Sequence, residues 1–292
     1  MGKMGGNKMK KNWVKGLVGL VSIAMLAACG ADTNSATDSS AISGEESTSD
    51  KLADIQERGK LIIATTADYP PYEWHLVKDG KDEIVGFDID IAKAIADELG
   101  VDLEVKDMDF DGLIPALSTG KVDLVIAGMN PTPKREESVD FTDIYISTQD
   151  VVLIREEDAE KFTSPESLSD AKWATQKSTI QEDFLKEEYA DAYLQSVGKW
   201  GTAILSLNTG KVDAILMVET VANQYAKQND NLVIADFDIE SEPNEAAIAV
   251  QKGNEDFLET VNGILNELQE SGAVDQLILD NVQLMEENTT EE

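Results

Sequence analysis

One histidine and one cysteine in 292 residues leave this chain little to catalyse with. His75 has no second histidine for a metal site or a proton relay, and its surroundings, residues 73–83, read as a loop around Asp79-Gly80. A Ser-His-Asp set would depend on that one side chain. A lone cysteine makes no intrachain disulfide and no thiolate cluster. Residues 128–135 follow a strand and begin with glycine, but lack the Gly-Lys-Ser/Thr of a nucleotide phosphate loop. Positive charge is scarce as well: 24 lysines and arginines against 57 acids give a net charge of −33. Such a surface repels nucleic acid and anionic headgroups, so neither is an expected partner. We therefore expect no catalytic residue, no metal and no cofactor, and do not read the chain as an enzyme.

What is present begins with an export pattern. Lys3, Lys8, Lys10, Lys11 and Lys15 come first, followed by a largely apolar run, 16–28, without acids. The run is short of the ~20 residues of a bilayer span but suits the ~7–15 of a signal peptide core. It ends Leu26-Ala27-Ala28-Cys29-Gly30, which resembles the lipobox of bacterial lipoproteins. That resemblance implies removal of residues 1–28 and a diacylglyceryl group on Cys29, anchoring the protein to the extracytoplasmic face of the cell membrane. Loss of five lysines and no acids takes the net charge to −38. Residues 29–50 are mostly Ser, Thr, Asp, Ala and Gly, with Ile42 the one large apolar side chain after the cysteine. They bury too little surface to offset chain entropy and read as a flexible tether.

From residue 51 onward strands alternate with helices. Residues 61–65 read as a buried strand; Phe87, Ile91, Ala94, Ile95 and Leu99 form a helical stripe stopped by Gly100. Further strands are expected at 101–105, 124–127, 151–154, 212–217 and 232–235. Helices are expected at 113–119, after Ser178, and at 202–207, 221–227 and 255–270. The alternation predicts the α/β class, with parallel-rich sheets carrying helices on both faces. One segment repeats: Ile114-Pro-Ala-Leu-Ser-Thr-Gly-Lys-Val-Asp123 returns as Ile204-Leu-Ser-Leu-Asn-Thr-Gly-Lys-Val-Asp213. Each copy is a helix closed by glycine, then a strand. Two lobes of similar build explain the echo; so would convergence on an ordinary helix-to-strand turn.

The best site candidate follows the 124–127 strand, at the carboxyl end where open α/β sheets bind ligands. Thr132-Pro133 is a helix start, with Thr as the cap and Pro first. Arg135 then sits in the first turn, against the positive end of the helix dipole, a placement costing ~0.3–1 kcal/mol when exposed. Either Glu136 and Glu137 neutralise it, or its fork is held to grip a carboxylate while Gly128 exposes backbone N–H groups. Tyr69 and Tyr72, on a loop extended by Pro70 and Pro71, are candidate rings at the same edge. Phe110 is a third, and it also reads as core.

Five segments in order carry a resemblance: Ala67-Asp-Tyr-Pro-Pro-Tyr72, Val85-Gly-Phe-Asp-Ile-Asp90, Phe110-Asp-Gly-Leu-Ile-Pro-Ala116, Ala127-Gly-Met-Asn-Pro-Thr-Pro-Lys-Arg135 and Val139-Asp-Phe-Thr142. Weaker matches continue through Gln176 to Glu182, Gly210 to Asp213 and Ala247 to Gly253. Together they resemble the polar amino acid solute-binding family of ABC importers.

The resemblance implies a two-lobed clam of the type II periplasmic-binding-protein fold, joined by two crossover strands. Lobe one would be 51–141 plus 244–280 and lobe two 147–236, with hinges near 143–147 and 237–243 and an acidic tail at 281–292. It implies a monomer that closes around a free amino acid and delivers it to the permease subunits of an ABC importer. Arg135 would hold the ligand's α-carboxylate, assisted by Gly128 and Asn130, while Tyr69 and Phe110 sandwich its side chain. Thr179, with Glu182 in a capping pattern, would offer backbone N–H groups from lobe two. Two positions depart from the family. Many relatives have an acid for the α-ammonium where this chain has Val218, with Glu219 next; several binders of basic amino acids have one at Thr66. Glu219 becomes the candidate for the ammonium; a polar or neutral ligand is the first expectation and a cationic one remains open. A few similar proteins are cyclohexadienyl dehydratases, an alternative that would need Glu73 or Glu219 as the acid.

Overall fold

Two five-stranded sheets of the same build carry the chain in the computed structural model, which describes residues 50–289. The first runs Asp102–Asp107, Lys60–Thr65, Leu124–Val125, Ala249–Gln251, Val139–Phe141; the second Leu194–Val197, Trp173–Gln176, Ala214–Val218, Asp150–Arg155, Leu232–Ile234. In each, the first three strands are parallel and the last two antiparallel to their neighbours. The chain passes between the sheets twice, and the passing segments pair with each other as antiparallel strands Ile146–Thr148 and Asn244–Ala246. This is the two-lobed α/β architecture expected from the sequence.

Helices close the sheets because their apolar residues recur on one face. Phe87–Leu99 buries Phe87, Ile91, Ala92 and Ile95 and stops at Gly100, which adopts φ 70°. Glu255–Glu270 buries Phe257, Val261 and Leu265 and spans the residues its periodicity predicts.

The repeated segment proves to be one device used twice. Helix Leu113–Ser118 ends at Gly120 (φ 69°) and helix Trp200–Asn208 at Gly210 (φ 70°). Thr119 and Thr209 return their hydroxyls to the carbonyls of Pro115 and Leu205 at 2.8 and 2.7 Å. The aspartates tie each strand start to its neighbour: Asp123 accepts the Ile62 N–H at 2.8 Å and Asp213 the Lys172 N–H at 3.0 Å. Asp123 is matched by Lys51 and Arg58 of helix Lys51–Arg58, and Asp213 by Arg155 of the neighbouring strand. The echo is structural, not catalytic.

Two expectations change. Residues 73–83 are not a loop: Glu73–Lys78 and Lys81–Val85 form a hairpin, turned by Asp79 and Gly80 at φ 52° and 75°. That pair of positive φ values is the two-residue turn matching strand twist. Residues 281–289 do not begin a tail but continue helix Ala273–Thr289. Asn281 fixes that helix by donating to Asp90 Oδ2 at 2.7 Å, a side-chain bond that charge composition does not reveal. The signal peptide, Cys29 and residues 29–49 of the tether lie outside the described residues.

Candidate functional site

Short helix Pro133–Glu136 starts as its sequence predicts: Thr132 is the cap and its hydroxyl accepts the Arg135 N–H at 3.3 Å. The cap turns the Arg135 side chain inward, where it is only 9% exposed. Nη1 donates to the Asn130 carbonyl at 2.6 Å and Nη2 to the Ser178 carbonyl, on the second lobe, at 2.8 Å. The guanidinium carbon lies 5.3 Å from the centre of the Phe110 ring. Neither Glu136 nor Glu137 pairs with it; among the described residues Arg135 forms no ion pair with any carboxylate. Burial lowers its pKa to about 10, so it stays charged at neutral pH.

A cavity of about 470 Å³ opens beside this arginine, lined from one lobe by Phe110, Met129 and Thr132 and from the other by Ser178 and Thr179. That volume suits a small molecule, for which pockets run ~300–1,000 Å³. Thr179 caps helix Ile180–Glu188, accepting the Glu182 N–H at 3.2 Å, and Glu182 in return accepts the Ser178 N–H at 2.7 Å.

Thr66, Tyr69 and Asn130 do not line this cavity. Tyr69 is buried, stacked on Trp200 of the second lobe with ring centres 5.8 Å apart, and tilted against Tyr72. Thr66 is buried with its hydroxyl unpartnered. Asn130 donates to Asn244 Oδ1 and the Glu245 carbonyl, both at 2.9 Å, linking the arginine loop to the second crossing segment.

Two assignments need correction. Gly128 does not offer its N–H to the cleft, because Asp88 Oδ2 accepts it at 2.9 Å. Its smallness serves packing instead: at φ 55°, a Cβ there would fall 2.9 Å from Tyr69 Cε1. Glu219, the candidate for the ligand's ammonium, does not line the cavity beside Arg135. Its strand ends at Val218, and Glu219 opens helix Glu219–Gln228 with its side chain exposed.

Sequence reasoning missed a carboxyl pair under the site. Glu73 and Asp88 are both fully buried, and burial drives both upward, Glu73 well above the carboxylate range and Asp88 to about 7. Burial, with the Asp88 carboxyl nearby, favours the protonated form of Glu73, while Asp88 Oδ2 accepts the Gly128 N–H and the Tyr145 hydroxyl, both at 2.9 Å. Asp150 and Trp200 were also missed, since no local motif marks them, and Gln181 was not singled out although it lies within the weaker match Gln176 to Glu182. Among the described residues no group of His, Cys, Asp and Glu has metal-binding geometry.

The profile of the bacterial extracellular solute-binding proteins, family 3, matches residues 61–280. The chain belongs to this family. The arginine-binding extracellular protein ArtP of Bacillus subtilis (strain 168) is 35% identical over 91% of this chain and 96% of its own. An amino acid ABC transporter substrate-binding protein from Streptococcus pneumoniae Canada MDR_19A, solved with L-arginine bound, is 38% identical with a TM-score of 0.77, covering 80% of this chain and 98% of that one. The ancestral amino acid-binding protein AncCDT-1, a precursor of cyclohexadienyl dehydratase, is 36% identical with a TM-score of 0.72, over 78% of this chain and 98% of its own. The chain thus shares the type II fold of amino-acid-binding proteins, and the relatives named here are binding proteins.

Proposed function

We propose that the chain captures a free cationic amino acid, L-arginine first, outside the cell and passes it to the permease of an ABC importer. The observation that carries this reading is Arg135, a buried guanidinium with no carboxylate of its own, held where the lobes meet. A buried charge without a counter-charge is unfavourable. An α-carboxylate supplies the missing charge, and the guanidinium fork can hold both its oxygens. The choice of a cationic side chain rests on the relatives named for arginine, and modifies the polar or neutral expectation. Lobes 51–141 plus 244–280 and 147–236 close over the ligand in this reading, in a protein acting as a monomer tethered by lipid on Cys29. The dehydratase reading is not helped by the two acids the sequence nominates for it: Glu73 is fully buried and Glu219 is exposed.

Calorimetric titration with L-arginine, L-lysine, L-histidine, L-glutamine and L-cystine tests the reading. We expect saturable binding with arginine tightest; no binding of any of them, or turnover of prephenate or arogenate, would overturn it. Cys29→Ser should shed the protein into the medium with ligand affinity unchanged, since lipid chains contribute ~0.8 kcal/mol per buried methylene. Membrane retention of that variant would contradict the anchor.

A further inference from the structure

We propose that Asp150 is the carboxylate that holds the α-ammonium of the bound amino acid, occupying by pairing the place that Val218 leaves apolar. The inference rests on the amino-acid reading above and adds to it a residue that the family pattern does not supply.

Register carries the first part of the argument. Strand Ala214–Val218 pairs antiparallel with Asp150–Arg155, and Val218 stands directly opposite Asp150. The next pair outward carries the hydrogen bond, Glu219 N–H to the Gln149 carbonyl at 2.9 Å. Val218 and Asp150 are therefore a non-hydrogen-bonded pair, with Cα atoms ~4.5 Å apart and side chains close on one face. A carboxylate moved from position 218 to position 150 stays at the same sheet edge. Glu219, one residue further along, opens the next helix with its side chain exposed.

Charge carries the second part. Asp150 is 5% exposed, yet the groups beside it are neutral: Gln181 Nε2 at 2.8 Å and Asn244 Nδ2 at 3.4 Å from Oδ1, and the Ser241 hydroxyl. Among the described residues no lysine, arginine or histidine forms an ion pair with it. Burial pushes its pKa up to about 6 against the pull of those amides, so it is ionised at neutral pH and short of positive charge.

The two halves meet in one arrangement. Arg135 is a buried cation without an anion, and Asp150 a buried anion without a cation. A relay keeps them apart: Arg135 to the Asn130 carbonyl, the Asn130 amide to Asn244, and Asn244 to Asp150. Two opposite charges, each unpaired and separated by amides, complement a zwitterion, whose carboxylate satisfies one and whose ammonium satisfies the other. Gln181 and Asn244 then act as positioning residues, fixing the carboxylate from a helix of one lobe and from the crossing segment.

The test titrates wild type, Asp150→Asn and the double variant Asp150→Val/Val218→Asp with two probes. They are L-arginine and 5-guanidinopentanoate, which keeps the carboxylate and guanidinium but lacks the amine. Asp150→Asn should weaken L-arginine by about thirty- to several-thousand-fold, the loss typical of a buried charge stripped of its partner, and 5-guanidinopentanoate far less. The double variant, with the acid returned across the strand pair, should recover most of the L-arginine affinity. Equal losses for both probes, or an unchanged affinity in Asp150→Asn, would overturn the assignment. Thermal melts separate lost folding from lost binding; if Asp150→Asn does not fold, the double variant decides, and its failure to prefer L-arginine over the deaminated probe overturns the assignment. Wild type that binds no amino acid removes the functional reading and Asp150 with it. Wild type that binds, alongside an indifferent Asp150→Asn, removes only Asp150.

Discussion

Asp68 Oδ2 accepts the Gly201 backbone N–H at 3.1 Å, so a carboxylate of the first lobe caps a helix of the second. Helix Trp200–Asn208 has no side-chain cap of its own. The same residue's carbonyl accepts the Tyr225 hydroxyl, again from the second lobe, at 2.8 Å. A borrowed cap exists only while the lobes are together, and caps contribute ~0.5–2 kcal/mol. Asp68→Ala should therefore loosen the closed form and lower ligand affinity by about two- to thirty-fold, with little loss of lobe stability. Unchanged affinity in a calorimetric titration would show that the cap does not contribute to closure.

Gly128 is expected to tolerate no side chain. Alanine there must adopt φ 55° and crowd the Tyr69 and Tyr72 rings at 2.9 and 3.3 Å. The left-handed conformation alone costs ~1–2 kcal/mol, before either ring moves. Gly128→Ala should lower the unfolding free energy by at least that amount and weaken binding through a displaced Tyr69. Denaturant titration checks the first effect, and a wild-type midpoint would contradict it.

How much of this was legible in the sequence follows from how local each signal is. Arg135 could be found because its cap, its proline and its strand stand within a dozen residues of it. Helix Glu255–Glu270 could be found because its stripe is periodic. Asp150 and Val218 could not be associated, since only the strand register sets them opposite each other. Gly128 was misread because the acceptor of its N–H, Asp88, belongs to helix Phe87–Leu99, forty residues away in sequence. Trp200 meets Tyr69 only when two lobes come together, and no pattern along the chain encodes that.

Stability should fall as pH rises from about 4 to about 7. Glu73 and Asp88 are raised in the folded state, Asp88 from 3.8 to about 7, so the folded protein holds more protons than the unfolded chain across that window. Their contribution is complete below the ordinary carboxylate value and is lost as pH climbs through the folded one. Asp68 and Asp150, each pushed by burial to about 6, act in the same direction. Glu73→Gln keeps the size and shape of a neutral Glu73 while removing one titration, and should flatten the melting-temperature profile between pH 5 and 7. A profile as steep as that of wild type would place the dependence elsewhere.

Arg135→Lys should bind ligand poorly despite its charge, because an ammonium cannot reproduce a planar fork that serves the Asn130 and Ser178 carbonyls and a carboxylate together. Arg135→Ala should lose ~2–5 kcal/mol of binding free energy while remaining folded. Near-normal titrations of both variants would sink the assignment of this residue.

The most direct measurement compares L-arginine with agmatine, the same molecule without its carboxylate, by calorimetry on the wild-type protein. If Arg135 grips the α-carboxylate between the lobes, L-arginine binds and agmatine is weaker by ~2–5 kcal/mol, the cost of leaving that buried charge unpaired. Agmatine binding as tightly as L-arginine would contradict the account.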